Sequence, residues 1–512
     1  MTWLKQHPSW IIANTDKNLG PCVIEHDQYI KDALVHLQDS SIYEFLTEAE
    51  AKAEGHRLYR EIMEWIFKGK MTQALGKQEV QYLVKHTADN CADPHGYFYL
   101  MYKVHKKILS TRPVCSDCAS ITNPIGKWVD VQLQPVAQSM PTFFKDSFAF
   151  KKLLETLITQ PGIRGFSADA VGMYTNIHTG AALAAISKYL RDNEQRFDYH
   201  AETLIRALEI VMNNNIIRFG DTYVRQISGT AMGKPPAPPW AIIFEGIHEI
   251  QFLPQWQSNL LLYVRFIDDV FGLWIPSEDE ATDTASWLAL QAEVNNNHGL
   301  EWIFTKRQES VDFLDLTVQV RPDGYIKTTL FEKPMALYLF IPPHSAHPPG
   351  VLAGHIFGNV LRIFRLNTEE EDIIKDVTQF MSRFQRRGHT REVLVPIFLK
   401  AISNARKFIA TTEKERNDLK EAKHKAAKRR LYLHLEYHPQ NPQSKTIQQL
   451  FRDTVLQPPG KEPINEIVGS MGYKIPIDAM IIANHTAPNL GDKFSYRDIS
   501  KRTDRPPVSS FL

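Results

Sequence analysis

Residues 263–274 of the 512-residue chain read YVRFIDDVFGLW, the most informative stretch of the sequence. Two apolar, strand-like runs, Leu260 to Val264 and Val270 to Trp274, lie on either side of the adjacent acidic residues Asp268 and Asp269. Two carboxylates in a hydrophobic hairpin are costly, because like charges are crowded in a partly desolvated place. The pattern therefore predicts an Asp-Asp turn that requires a cation, most simply a divalent ion with hard oxygen ligands. A solvated turn without a ligand is the alternative.

A third carboxylate is found at the end of an earlier predicted strand. Residues 165–177 read GFSADAVGMYTNI, so Asp169 follows a short strand and the aromatic Tyr174 lies five residues further on. A lone Asp after a strand is usually a helix cap or a turn residue. Asp169 gains significance only from its order in the chain relative to the Asp-Asp pair.

A segment rich in Gln, Gly and Pro lies between the two acidic sites. Residues 226–241 read QISGTAMGKPPAPPWA. Gly229 and Gly233 would allow the backbone to approach a base or a phosphate closely, and the prolines suit the opening of a helix. A loop without a ligand is again the alternative.

In this order the three segments resemble motifs A, B and C of the reverse transcriptase palm. Finer similarities point to the branch of Penelope-like retroelements. They are Asp16-Lys17, Lys103-Val104-His105-Lys106, Arg112-Pro113-Val114, Tyr174-Thr175-Asn176-Ile177, Gly229-Thr230-Ala231-Met232-Gly233, Phe313-Leu314-Asp315, Lys333-Pro334, Tyr338-Leu339 and His347-Pro348. The departures from the family pattern are Ala170, His178, Lys234, Pro236, Pro239 and Lys306. None of them removes a carboxylate, and the sequence shows no GIY-YIG-type endonuclease signature.

The resemblance implies an α+β, right-hand polymerase fold. The expected domains are fingers in residues 1–150, a palm with an antiparallel sheet and the carboxylates in 151–340, a helical basic thumb in 341–435, and a small C-terminal extension in 436–512.

The resemblance also implies an RNA-directed DNA polymerase, from a retroelement without its endonuclease module. Such an enzyme adds deoxynucleotides to a primer 3′ hydroxyl, with two Mg²⁺ ions, or Mn²⁺ in their place, held by Asp169, Asp268 and Asp269. The implied partners are an RNA template, a DNA primer, their RNA–DNA hybrid and deoxynucleoside triphosphates. A decayed or domesticated nucleic-acid-binding scaffold is the alternative outside the enzyme class, and an RNA polymerase is the alternative within it.

Six residues are expected to contact the nucleotide by the same resemblance. At least one of Lys103, Lys106 and Arg112 would hold the triphosphate, because Arg suits bidentate phosphate contacts and Lys acts as a mobile point charge. The alternative for the two lysines is a solvated surface charge. Tyr174 would pack beneath the sugar and exclude a 2′ hydroxyl. Gln226 and Gly229 would contact the template or the incoming base.

The charge balance of 59 basic against 58 acidic residues excludes a protein that is basic overall, but it hides a basic stretch. Residues 400–430 hold eleven basic and four acidic residues, which predicts one basic helix that tracks a duplex backbone. The residues expected to bind nucleic acid are Arg386, Arg387, Lys423, Lys425, Arg429 and Arg430. A solvated charged face, or a nuclear localisation tract at residues 425–430, is the alternative.

Four scattered cysteines and the absence of a signal-peptide pattern near Met1 predict a reducing, intracellular environment. With the basic tract, we expect a nuclear protein. No apolar run approaches the roughly 20 residues that a membrane span needs, so no membrane partner is expected. The oligomeric state is left open by the sequence.

Overall fold

The chain forms two compact units in a computed structural model. The model describes residues 6–7, 9–230, 232–334, 336–348, 350–427, 430–438, 440–456, 479–485 and 508–511. The first unit comprises Met1–Ala336 with Phe494–Leu512, and the second comprises Leu337–Lys493. The division after Ala336 lies close to the expected end of the palm at residue 340. No helix of the described residues is long and apolar enough to cross a membrane.

Strands and helices both occur throughout the described residues. The strands are β1 (Trp10–Thr15), β2 (Pro21–Glu25), β3 (Tyr43–Leu46), β4 (Gly96–Tyr102), β5 (Thr111–Ser116), β6 (Arg164–Ala170), β7 (Ile216–Phe219), β8 (Thr222–Gln226), β9 (Leu260–Phe266), β10 (Asp269–Trp274), β11 (Trp302–Phe304), β12 (Ser310–Phe313), β13 (Leu316–Val320), β14 (Ile326–Leu330), β15 (Arg430–Glu436) and β16 (Ala479–His485). The helices are α1 (His26–Leu37), α2 (Glu48–Met71), α3 (Lys77–Asp89), α4 (Asn123–Gln138), α5 (Ser147–Glu155), α6 (Met173–Asn176), α7 (Thr179–Asp192), α8 (Ala201–Asn213), α9 (Ala237–Phe252), α10 (Glu280–Val294), α11 (Val351–Leu366), α12 (Glu370–Arg386), α13 (Arg391–Ala410), α14 (Glu413–Ala427) and α15 (Ser444–Phe451).

The first unit contains a mixed sheet that joins five strands of the expected fingers to β7 and β8, which lie within the range expected for the palm. Its strands lie in the order β2-β1-β4-β7-β8-β3, and β5 pairs with β4. The pairs β1–β4 and β4–β7 are parallel, and the others are antiparallel. Buried Tyr29 and Ile30 of α1 belong to the same core as Phe98 and Phe219 of the sheet. Helix α1 therefore covers one face of this sheet.

A second, antiparallel sheet in the order β11-β6-β10-β9 carries the candidate site. Along β6, Phe166, Ala168 and Ala170 are buried, whereas Ser167 and Asp169 between them are more accessible. Successive residues of a strand point to opposite faces, so this alternation directs Asp169 away from the core. The buried residues of β6 belong to one core with the inward faces of α7, α8, α9 and α10. The antiparallel meander β12-β13-β14 follows in the chain.

The second unit has a helical part with an aromatic core and a two-stranded sheet. Phe340 stacks on Phe384, with ring centroids 4.8 Å apart, and Phe380 and Phe398 join the same cluster. Strands β15 and β16 pair in parallel. The expected boundary at residue 436 therefore coincides with the end of a strand whose partner, β16, lies in the expected C-terminal extension.

The prediction of one basic helix over residues 400–430 is wrong, because the stretch is divided between α13, α14 and β15. The break is made by a capping arrangement. The backbone N–H of Thr412 donates to the Glu415 carboxylate at 2.8 Å, and the N–H of Glu415 donates to the Thr412 hydroxyl at 3.3 Å. These reciprocal bonds satisfy free N–H groups at a helix start, so a new helix begins here.

A buried polar cluster, formed by Glu245, Glu249 and Arg265, joins α9 to β9. The Arg265 guanidinium donates two hydrogen bonds to the Glu249 carboxylate, at 2.7 and 2.9 Å. Burial raises the pKa of Glu245 to about 8; the charge of Arg265 opposes this rise, and the charge of Glu249 adds to it. Asn297 donates a hydrogen bond to Glu245 at 2.8 Å. Glu245 is therefore mostly protonated at neutral pH.

Because the pKa of Glu245 is raised, we expect this residue to lower the free energy of unfolding as pH rises, and we expect Glu245→Gln to remove that effect. Between about pH 5 and 8 the unfolded chain releases the Glu245 proton while the folded chain keeps it, so this residue lowers wild-type stability as pH rises. The advantage of the variant in free energy of unfolding should grow by about 1.4 kcal/mol per pH unit in this window. Urea denaturation followed by tryptophan fluorescence measures it, since all nine tryptophans precede residue 303 and so lie in the first unit. Other titrating groups are common to both proteins, so a difference that stays constant with pH would contradict the assignment.

Candidate active site

The register between β6 and β10 brings the three predicted carboxylates together. Asp169 of β6 is paired directly with Asp269 of β10. Side chains that are directly opposite in an antiparallel pair have Cβ atoms about 4.5–5.5 Å apart. The backbone N–H of Ala170 donates to the carbonyl of Asp268 at 2.9 Å, which places Asp268 beside the same strand end. Two segments that are far apart in the sequence thus form one acidic site.

The turn between β9 and β10 is displaced by one residue from the predicted Asp-Asp turn. Phe266 pairs with Asp269, so the two turn residues are Ile267 and Asp268, and Asp269 belongs to β10. Ile267 has φ 58, in the left-handed region. A β-branched residue is rare there, and such strain costs about 1–3 kcal/mol. The surrounding structure must therefore hold Ile267 in place.

The carboxylates repel one another in a partly desolvated place. The pKa of Asp269 is raised to about 6, first by burial and then by the negative charges of Asp268 and Asp169. Burial and the charge of Asp169 also raise the pKa of Asp268, which the charges of Arg112 and Lys17 oppose. A cation placed between these groups would relieve the repulsion.

The donor set suits a hard divalent ion without enclosing it. Within the described ranges, no three His, Cys, Asp or Glu side chains are arranged so that they alone could hold a metal ion. Asp169 is exposed and Asp268 and Asp269 are half-buried, so oxygen donors stand at an open face. Magnesium usually keeps several waters and binds proteins through one or two carboxylates plus substrate phosphates. The residues present fit that incomplete, carboxylate-only pattern.

Basic residues of the first unit form a cluster whose charges reach the carboxylates. The Arg112 guanidinium lies 3.6 Å from the buried carboxylate of Asp16. Burial lowers the pKa of Lys103, and the positive charges of Arg112, Lys106 and Lys17 lower it further, while Asp16 opposes them. Lys103, Lys106 and Arg112 were expected here.

Lys17 is a member of this cluster that the sequence reasoning missed. It has φ 64 and an exposed side chain in the connection between β1 and β2. The available signal was the Asp16-Lys17 dipeptide, which entered the sequence reasoning only as part of the family resemblance.

Tyr174 lies in α6, close to the carboxylates. Burial raises the pKa of its phenol to about 12, and the negative charge of Asp268 contributes to that rise. Its carbonyl accepts a hydrogen bond from the backbone N–H of Thr230 at 2.5 Å. The aromatic ring packs against the main core of the unit. Tyr174 is therefore held through its backbone by the loop that follows β8 and through its ring by the core.

The two glycines of the loop after β8 are required because other backbone atoms of the protein leave no room for a Cβ. A Cβ at Gly229 would lie 2.5 Å from the carbonyl oxygen of Thr175, and one at Gly233 would lie 2.2 Å from that of Cys115. Both glycines also have positive φ. The expected close approach to a base or phosphate is therefore not needed to explain them. Gln226 is only 6% exposed, and its amide donates to the Ser228 carbonyl at 2.9 Å.

The departures from the family pattern at the start of α9 have structural roles. The Lys234 ammonium is buried, donates to the Thr122 hydroxyl at 2.7 Å and lies 3.3 Å from Asp117. Helix α9 begins at Ala237, so Pro238 and Pro239 lie in its first turn. A missing N–H costs no hydrogen bond there.

The residues expected to bind nucleic acid belong to the second unit. Arg386 is exposed at the end of α12, whereas the Arg387 guanidinium donates to the carbonyl of Phe340 at 2.9 Å. Lys423 and Lys425 lie on α14 and Arg430 begins β15. Arg429 lies outside the described residues. Arg387 thus fixes the chain that enters this unit, and Arg386 is left accessible.

Comparisons with known proteins agree with the fold. No protein-family model and no curated protein matches the sequence. The chain is similar to the structure of telomerase from Candida albicans in complex with a fragment of telomeric RNA, with 11% identity, 79% of this chain and 69% of that chain covered, and a TM-score of 0.50. Telomerase from Candida tropicalis (10% identity, 79% of this chain and 70% of that chain covered) and a Sicinivirus RNA-dependent RNA polymerase (12% identity, 63% and 71% covered) are less similar, with TM-scores of 0.42 and 0.37. The predicted α+β, right-hand polymerase fold is confirmed, and the chain has a reverse-transcriptase-like polymerase fold.

Proposed function

We propose that the protein is an RNA-directed DNA polymerase of the Penelope-like branch of reverse transcriptases. The observation that supports it most is the β6–β10 register, which sets Asp169 opposite Asp269 and beside Asp268 on a polymerase fold. The reaction would extend the 3′ hydroxyl of a DNA primer by one deoxynucleotide, directed by an RNA template, with release of pyrophosphate.

In this proposal the three carboxylates hold two Mg²⁺ ions, for which Mn²⁺ could substitute. Asp169 and Asp268 would be the principal ligands, and Asp269 would be a less direct ligand. When bound, magnesium would lower the pKa of the attacking hydroxyl and stabilise the leaving oxygens. The crowded charges of the carboxylates favour this binding, because each bound cation relieves the repulsion that raises the pKa of Asp269.

The basic cluster would bind the triphosphate of the incoming nucleotide. Arg112 offers a planar fork of donors, and Lys103, Lys106 and Lys17 offer mobile positive charges. The influence of Arg112 and Lys17 on the pKa of Asp268 supports this role, since phosphates must reach both the cations and the metal site. The contacts of Gln226 and Gly229 with the template or base stay predictions.

The exposed basic residues of the second unit would bind the RNA–DNA hybrid through its phosphates. Arg386 is the clearest candidate, because it is exposed at the end of α12. Lys423, Lys425, Arg429 and Arg430 stay candidates from the sequence. Such binding would be independent of sequence and weaken strongly with salt. A nuclear location would suit these partners.

Two alternatives predict different outcomes. A decayed nucleic-acid-binding scaffold would bind the hybrid in a salt-sensitive way without incorporating nucleotides. The three carboxylates argue against it, because crowded charges that serve no ligand only destabilise the fold. An RNA polymerase would accept ribonucleotides, so Tyr174 is the residue that distinguishes it.

Replacement of Asp268 by Asn tests the proposal directly. Primer extension on an RNA template with Mg²⁺ should fall by about 1,000-fold, because a metal ion supplies several kcal/mol of transition-state stabilisation and each 1.36 kcal/mol is a factor of ten. Binding of the hybrid should be retained, since Asp268 is not a phosphate-binding residue.

Asp198→Asn is the matched control, because Asp198 is an exposed carboxylate in the connection between α7 and α8. It should extend the primer as the wild type does. Equal extension by the Asp268→Asn variant and the wild type would exclude the proposed chemistry.

Replacement of Tyr174 by Ala tests its steric role. Loss of the ring should open space for a 2′ hydroxyl and reduce discrimination against ribonucleotides by about 10- to 100-fold, the range that a small steric difference supplies. Ratios of kcat/KM for deoxy- and ribonucleotides measure this. Tyr174→Phe keeps the ring and should discriminate normally. An Ala variant with unchanged discrimination would assign Tyr174 to packing alone.

A further inference from the structure

We propose that Arg265 is a positioning residue for Asp268: it holds the strained turn that presents this carboxylate to the metal ions. This inference rests on the proposed function for its catalytic consequence. It is based on hydrogen bonds of the Arg265 guanidinium that have no role in the resemblance to motif C or in the proposed mechanism.

Arg265 is fixed from one side by α9. Arg265 and Glu249 are each only 2% exposed, and the two hydrogen bonds between them leave the guanidinium in one orientation. Glu249 also accepts a bond from the Thr142 hydroxyl at 2.6 Å, and the backbone N–H of Arg265 donates to the Thr142 carbonyl at 2.9 Å. A buried ion pair with its remaining groups satisfied is a rigid support.

The guanidinium makes two further hydrogen bonds, one to the turn and one to α9. Its Nη1 donates to the carbonyl of Ile267 at 3.1 Å, and its Nη2 also donates to the carbonyl of Ile242 in α9 at 3.0 Å. The Ile267 carbonyl belongs to the peptide that enters Asp268. The next carbonyl, that of Asp268, accepts from Ala170 of β6. The two peptide groups on either side of the Asp268 Cα are therefore held, one by Arg265 and the other by β6.

The left-handed conformation of Ile267 explains why such a support is needed. A β-branched residue relaxes from φ 58 to negative φ unless the surroundings prevent it. That relaxation would rotate the carbonyl of Ile267 and displace Asp268. Lysine would keep the charge at position 265 but lacks the planar fork of five donors, so it could not serve Glu249 and the two carbonyls together.

Arg265→Lys tests this role, with Arg307→Lys as the matched control. Arg307 also forms an ion pair, with Asp283, and lies over the ring of Trp274, at the end of β10 away from the turn. Hydrogen–deuterium exchange needs no catalysis. In Arg265→Lys, exchange in peptides that cover residues 264–270 should rise about tenfold or more, and in Arg307→Lys it should stay as in the wild type. Unchanged exchange at the turn of a folded Arg265→Lys protein would overturn the proposal.

The catalytic readout is the magnesium requirement of single-nucleotide addition. The Mg²⁺ concentration that gives half-maximal rate should rise about 10- to 100-fold in Arg265→Lys, the range for groups that orient metal ligands, and stay unchanged in Arg307→Lys. High Mg²⁺ should restore most of the rate. If the wild type extends no primer, the proposed function fails, while the exchange experiment still decides the role of Arg265.

Glycine at position 267 separates positioning from general packing. It adopts φ 58 without steric cost, so in an Ile267→Gly background Arg265→Lys should alter turn exchange and magnesium requirement less than in the wild type. Equal effects in both backgrounds would contradict the proposal.

If Arg265→Lys does not fold, Thr142→Val removes a single hydrogen bond to Glu249, and a smaller rise in turn exchange and in magnesium requirement is expected. A folded Thr142→Val protein with wild-type exchange and magnesium requirement would overturn the proposal.

Discussion

The hydrogen-bond register between β6 and β10 is the constraint on which the site depends. It sets Asp169 opposite Asp269, and a shift of one residue would turn every side chain of β6 to the other face. The register is fixed because Phe166, Ala168 and Ala170 must face the core. The hydrophobic alternation of one strand thus determines where the Asp169 carboxylate lies.

The three crowded carboxylates are accompanied by nearby cations and by a buried ion pair. Cations of the first unit oppose the rise in the pKa of Asp268, and the buried pair of Arg265 and Glu249 supports the turn from behind. Like charges in a partly desolvated place destabilise a fold, so proteins keep them where they serve a function. The strained φ of Ile267 also indicates a functional position, because such strain persists only where the surrounding structure holds the residue in place.

Several strands could be predicted from local patterns, whereas the polymerase fold and the grouping of the three carboxylates were predicted from the resemblance to motifs A, B and C. The apolar runs that flank Asp268 and Asp269 gave both strands, and the order of the three segments indicated that Asp169 belongs with them. The turn was predicted one residue late. The adjacent acidic residues predicted a turn at Asp268 and Asp269. In the structure Phe266 pairs with Asp269, so the turn residues are Ile267 and Asp268. Register is a property of two strands, which one segment does not reveal.

The features that the sequence did not reveal depend on contacts between distant segments. Gly229 and Gly233 approach protein carbonyls, and Lys234 forms a buried ion pair with a residue far away in the chain. Lys17 reaches the site from the first strands, and the basic stretch is broken by a capping box at Thr412. Templated synthesis at the acidic site is the reaction we propose. The most direct measurement offers the wild type each deoxynucleotide separately on four RNA templates that differ in the templating base. We expect magnesium-dependent addition of only the complementary nucleotide on each. Addition regardless of the templating base, or none by folded protein that binds the hybrid, would contradict it.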